Sequence, residues 1–161
     1  MLDGVSEEIA EDELLVRGIC TPYHYDVKNG TLKKNAFHQK PMSKGVSVCR
    51  NAILNVDECR KKAKLLNNPD QKKEYIGLAV VSVGAVRKAG SIVNDTRHVY
   101  YGHADIFHDI PDPEPQEALK PELAEKLKDR LENILKYAQF FIDPSPTADN
   151  WSGVAPLTSK C

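Results

Sequence analysis

Tyr75-Ile76-Gly77-Leu78-Ala79-Val80-Val81-Ser82-Val83-Gly84-Ala85-Val86 is almost unbroken in apolar and small residues. An alternating pattern marks a strand with one wet face, whereas a continuous run marks a strand buried on both. This segment therefore reads as a central strand, and the neighbouring segments are assigned around it.

Upstream, Leu14-Leu15-Val16-Arg17-Gly18-Ile19-Cys20 reads as a first strand stopped by Thr21-Pro22. Between Tyr23 and Gly45 the chain is polar and contains Asn29-Gly30, a strong turn signal, so a long loop or loose hairpin is expected. Val46-Ser47-Val48-Cys49-Arg50 has period two and reads as a short strand with Ser47 and Cys49 on one face. Asn55 with Glu58 three residues later forms a capping-box start for a helix that ends near Asn67, before Pro69. Downstream, Gly90-Ser91 and Asn94-Asp95 mark a connection to a fourth strand over roughly 98–107. Pro111, Pro113 and Pro115 specify an extended linker. Pro121 opens a second, longer helix, whose apolar residues recur every three or four positions from Leu123 to Ile142.

These elements predict one small α+β domain with a mixed or antiparallel sheet of about four strands and two helices, the longer near the C-terminus. The domain is expected over 14–142. Residues 1–13, with six acids and no base, form an acidic N-terminal tail, and 143–161 form a Pro-containing C-terminal tail with the single Trp, Trp151.

The chain has 161 residues, 41% hydrophobic and 28% charged, enough for one soluble domain with its own core. A net charge of −1 argues against a surface built wholly for nucleic acid but leaves nucleic acid open as a partner. From Lys28 to Lys64 there are ten Lys or Arg against two acids, a basic stretch that suits either a solvated face or a phosphate ligand. Cys20, Cys49, Cys59 and Cys161 lack CxxC spacing and read as reduced thiols. Cys49, on a strand, reads as a small buried thiol. An acidic start unlike a secretory signal, and the absence of any long apolar run, give the expectation of a cytoplasmic protein without a membrane partner.

The candidate site begins with Gly102-His103-Ala104-Asp105-Ile106. On a strand, His103 and Asp105 face one way while Gly102, Ala104 and Ile106 face the other. An imidazole beside a carboxylate suits a general acid or base. Arg17, mid-strand among aliphatics, must be paired or must face a ligand, because an unpaired buried charge is costly. The expected site lies between the fourth strand and the loop after the first. His103 and Asp105 are its catalytic candidates, and Arg17, His24 and Ser47 hold an anionic ligand such as a nucleotide or phosphate ester. His24, Asp26, His103 and Asp105 include metal-ligating types, but a His-Asp pair is more often a hydrogen-bonded structural couple, so no metal is assigned. P-loop, GxGxxG, GxSxG and HExxH motifs are all lacking, so no cofactor is named and an enzyme is not distinguished from a binding protein. The alternative is a protein–protein interaction or immunity-type accessory module using the long helix, the proline linker and the Trp151 tail.

The order Arg17, His24, Ala36-Phe37, Ser47-Val48, Gly77-Leu78-Ala79-Val80 and His103-Ala104-x-Ile106 resembles a group of small uncharacterised bacterial open reading frames. The likeness covers residues 14 to 106. It implies a bacterial source and points to Arg17, His24, Ala36, Phe37, Ser47 and His103 as shared positions. No activity attaches to the group.

Overall fold

Leu14–Thr21, the strand β1, lies near the middle of one sheet, with Leu15 and Ile19 buried on one face and Val16 and Cys20 on the other. The computed structural model describes residues 5–38, 45–110 and 119–154. The expected proline linker at 111–115 and Cys161 lie outside these residues. After β1 come β2 (Tyr25–Asp26), β3 (Thr31–Leu32), β4 (Val46–Arg50), α1 (Val56–Ala63), β5 (Glu74–Ser82) and α2 (Val83–Lys88). The chain continues through β6 (Ile92–Asp95), β7 (His103–Phe107), α3 (Pro121–Tyr137) and β8 (Gln139–Ile142).

Six strands form an antiparallel sheet in the order β6-β7-β4-β1-β5-β8, and β2-β3 make a separate small hairpin. The α+β class holds, but the expected four strands and two helices are too few. Three residue patterns account for the difference. Ser82 leaves the continuous apolar run because its hydroxyl accepts the Ala85 amide, capping α2 and ending β5 four residues before Val86. Ile92–Asp95, read as a connection, pairs with β7 as an edge strand. The apolar spacing of α3 continues past Tyr137, yet the backbone leaves the helix at Ala138 and residues 139–142 pair with β5. His98 to Tyr101, expected in the fourth strand, form the turn between β6 and β7.

Helices cover both faces of the sheet. Leu15, Ile19, Val46, Val48, Ala79, Val81, Ala104 and Ile106 pack with Val83, Val86, Leu131 and Ile134 of α2 and α3. Val16, Cys49, Leu78 and Val80 pack on the other side with Cys59 and Ala63 of α1. The capping box at Asn55 and Glu58 starts α1 as the sequence predicts. Gly18 lets α1 approach: a Cβ there would lie 2.5 Å from the Ala63 Cβ and 2.9 Å from its Cα.

Two buried arginines tie the described segments before β1 and after β8 to this frame. Arg50, 1% exposed, donates to both Glu13 carboxylate oxygens at 2.8 Å, to Asp95 at 2.6 Å and to the Ser6 carbonyl at 2.7 Å. Residues 5–13 therefore lie against the body, with Ile9 and Glu13 buried. Arg60 on α1 donates to Asp143 at 2.6 Å and to the Ser145 and Ala148 carbonyls, while Tyr75 donates to the same Asp143 oxygen at 2.7 Å. Trp151 packs in the α1-side core, and its backbone amide donates to Asp57.

Removing the Arg50 charge while keeping the stem, as in Arg50→Met, leaves Glu13 buried without its cation and Asp95 with Arg97 alone. A loss of about 3–5 kcal/mol is expected in urea unfolding. Gly18→Ala forces α1 off the sheet and is expected to lower stability by about 1–3 kcal/mol in the same assay. An unchanged midpoint for either variant would contradict this packing.

Candidate functional site

Cross-strand register decides which expected site residues meet. Cys49 pairs with His103 and Ser47 with Asp105, so these four side chains share the α1-side face of the sheet. Ala104 and Ile106 turn the other way and are fully buried, as the sequence predicts. The His103 Nδ1 is hydrogen-bonded to the Thr96 hydroxyl, and the ring packs edge-on against Tyr100 at 4.9 Å. Asp105 lies 4.0 Å from His103 Nε2, beyond hydrogen-bond reach, so Thr96 rather than Asp105 fixes the imidazole. Burial lowers the His103 pKa against the opposing pull of Asp105, leaving a neutral ring at pH 7.

Arg17 does not join them. Val16 is paired with Cys49, so strand alternation sends Arg17 to the opposite face, with Leu15 and Ile19. Beyond Val16 the β1–β4 ladder opens, and the guanidinium bridges the gap. Its Nε donates to the Ala36 carbonyl at 2.9 Å and its Nη1 to the Ser47 carbonyl at 3.0 Å. Burial pushes the Arg17 pKa down, yet a guanidinium stays charged. Arg17 thus ties the short helical turn Lys34–Phe37 to β4, and Ser47 enters through its backbone. The expected single pocket shared by Arg17 and His103 is not formed, because adjacent positions on a strand point to opposite faces.

His24 lies elsewhere again. Its amide donates to the Cys20 carbonyl at 2.9 Å, and its Nδ1 accepts the Cys20 amide at 3.2 Å. An accepting Nδ1 places the proton of the neutral ring on Nε2. The Lys33 amide donates to the His24 carbonyl, closing the β2–β3 hairpin, and Gly30 takes the positive φ of 68° that its turn requires. Asp26 belongs to that turn: Asn29 donates side-chain and backbone hydrogen bonds to it and holds its carboxyl below the usual range. Among the described residues, no three His, Cys, Asp or Glu side chains gather to hold a metal ion, so the His24, Asp26, His103 and Asp105 set is not assembled.

Beside His24 is a cleft of about 480 Å³ lined by Tyr23, His24, Asn35, His38, Gln71 and Lys73. The Tyr23 hydroxyl donates to the Gln71 carbonyl at 2.9 Å, joining the loop after β1 to the turn before β5. None of these described lining residues is acidic. Sequence reasoning found His24 and missed the others, because they sit in irregular loops far apart in the chain, where no periodicity links them. A second, smaller cavity of about 80 Å³ lies where β1 and β4 part, between Cys49, Cys59, Lys62 and Tyr100, with Arg17 on its border. His108, by contrast, is structural: its Nε2 donates to the Phe37 carbonyl at 2.7 Å and its Nδ1 meets the Ser91 hydroxyl at 2.7 Å. Ala36 and Phe37, shared positions of the resemblance, are fully buried in the core.

Comparison with protein-family models, with curated protein sequences and with solved structures gives no match for this chain. Among the described residues no helix is long and apolar enough to cross a membrane.

The buried histidines give a pH signature. Burial lowers both His103 and His108 below the ordinary value of 6.5, so the unfolded chain binds more protons just below that pH. Stability is expected to be full above about 6.5 and to fall as pH drops towards the folded values. Burial works against the Asp95 and Asp143 charges, but hydrogen bonds from Arg97 and Arg50, and from Tyr75 and Arg60, hold both carboxyls low. Their contribution is lost only below about 3.8. Urea midpoints measured from about pH 7.5 to about pH 5 should fall, with a shallower slope in His108→Asn. A flat wild-type profile would contradict the buried neutral rings.

Proposed function

We propose that this protein binds a small anionic ligand, of the nucleotide or phosphate-ester class, in the cleft beside His24. The observation carrying this reading is the composition of that cleft. Lys73 supplies a cation, His38 and Asn35 supply hydrogen-bond donors, His24 forms part of the wall, and no described lining side chain carries a competing carboxylate. Its volume of about 480 Å³ suits a small organic anion. Tyr23 is 41% exposed, with the Lys73 Nζ 5.4 Å over its ring, so a cation and an aromatic ring sit together as a base or sugar attached to a phosphate would use them.

Of the residues expected in the site, His24 lines this cleft, while Arg17, Ser47, His103 and Asp105 lie outside it. The proposal is therefore binding, with no catalytic step assigned. The interaction-module alternative has less support. Its tail anchor, Trp151, packs against α1, and Asp143 at the base of the tail is engaged by Arg60 and Tyr75.

Isothermal titration with AMP and with inorganic phosphate tests the proposal. A charged hydrogen bond is worth about 1.5–3 kcal/mol, so Lys73→Ala is expected to weaken binding by roughly tenfold or more. His38→Ala should act in the same direction, and added salt should weaken wild-type binding. Equal affinities for the wild type and Lys73→Ala would remove the cleft from consideration.

A further inference from the structure

The small cavity between β1, β4 and α1 contains two cysteines that the ligand cleft does not use. Cys49 is on β4 and Cys59 on α1. Both are buried free thiols, both belong to the α1-side core, and both line the cavity. The capping box that fixes the start of α1 also fixes Cys59, whose amide donates to the Asn55 carbonyl. Cys49 Sγ is 3.4 Å from the Tyr100 hydroxyl, and Lys62 Nζ stands 4.0 Å over the Tyr100 ring.

We propose that Cys49 and Cys59 form a redox-active pair, in which a hydroperoxide oxidises Cys49 and Cys59 then closes a disulfide with it. The site is independent of the anion cleft, which lies elsewhere on the molecule.

Three features support it. The thiols differ in the way such a pair requires. Hydrogen bonding from Cys59, and then from Tyr100 with the charge of Lys62, outweighs burial and brings Cys49 down to about 7, while Cys59 is pushed up. The Tyr100 hydroxyl and the Lys62 cation beside it make Cys49 the nucleophile of the pair, and Cys59, whose thiol donates to the Leu54 carbonyl at 3.8 Å, is the resolving thiol. The cavity also suits a small oxidant, having room beside the two thiols for a molecule of a few atoms. Hydrogen peroxide fits. Finally, a reversible pair agrees with a chain whose cysteines lack the density of a structural disulfide framework.

The chemistry balances. The Cys49 thiolate attacks one peroxide oxygen, the O–O bond breaks, and the departing hydroxide takes the proton that Cys49 gave up. This leaves Cys49 as a sulfenic acid and releases one water. The Cys59 sulfur then attacks the Cys49 sulfur and displaces hydroxide, which leaves as a second water with the Cys59 proton. Two thiols are oxidised, one peroxide is reduced, and an external dithiol restores the pair.

Peptide mapping of the full chain, carrying Cys161→Ser to suppress intermolecular bonds, tests the proposal. Trypsin cuts after Lys44, Arg50 and Arg60, so Cys49 and Cys59 leave on separate peptides, 45–50 and 51–60. After a small excess of hydrogen peroxide, these two peptides should be found joined, before Cys20 reacts, and dithiothreitol should separate them. In Cys59→Ser the reaction should stop at the sulfenic acid, and dimedone should label Cys49. The cross-link readout uses a chain in which both thiols are native, so it stands even if Cys59→Ser fails to fold. Free Cys49 and Cys59 after treatment that oxidises a small thiol in the same tube would overturn the proposal. First reaction at Cys20, or a Cys20–Cys49 link, would overturn it equally.

Discussion

A guanidinium buried in a sheet must have its charge matched and its donors bonded, and Arg50 meets this demand by collecting partners from distant parts of the chain. Glu13 comes from the segment before β1, Asp95 from the end of β6, and the Ser6 carbonyl from nearer the N-terminus. Arg97 adds a second cation to Asp95 at 2.9 Å, so two carboxylates and two guanidiniums balance. One strand residue therefore fixes the N-terminal segment, the sheet edge and β4 in one geometry. Arg60 does the same for the C-terminal segment through Asp143, from the adjacent helix.

The buried arginines are satisfied by the chain itself. Arg17, Arg50 and Arg60 are all engaged with carbonyls or carboxylates of the chain itself. These three guanidiniums are therefore structural cations, and the lysines Lys73 and Lys62 lie closer to the surface. Lys73 lies in the cleft beside His24, and Lys62 lies over Tyr100 next to the cysteine pair. The cleft beside His24 is made by loops at one end of the sheet, and the cavity beside Cys49 and Cys59 by a gap between strands. Both lie where the regular ladder stops.

Much of the architecture was legible because local signals and packing agree. Asn55 and Glu58 cap α1, Pro121 opens α3, and the alternation of Val46, Val48 and Ala104, Ile106 sends these residues to the buried face. Less legible were boundaries set by long-range pairing. Phe140 and Phe141 continue the helical spacing of α3, yet they sit opposite Ala79 and Leu78 in β8, with one ring packed on each side of the sheet. Periodicity alone does not separate these outcomes over four residues. The site was legible only in pieces. Alternation correctly paired His103 with Asp105 on one face, but the faces of Arg17 and His103 depend on the β1–β4–β7 register, which local sequence does not carry. Tyr23, Asn35, His38 and Lys73 meet through loop folding, for which the sequence contains no spacing signal.

The central claim, that the His24 cleft takes an anion, is tested most directly by following backbone amide NMR shifts while AMP is added. The account predicts shifts that saturate at Tyr23, His24, Asn35, His38, Gln71 and Lys73, with the amides of Ser47, His103 and Asp105 unmoved. Saturable shifts centred on Ser47, His103 and Asp105, or none at the cleft, would contradict it.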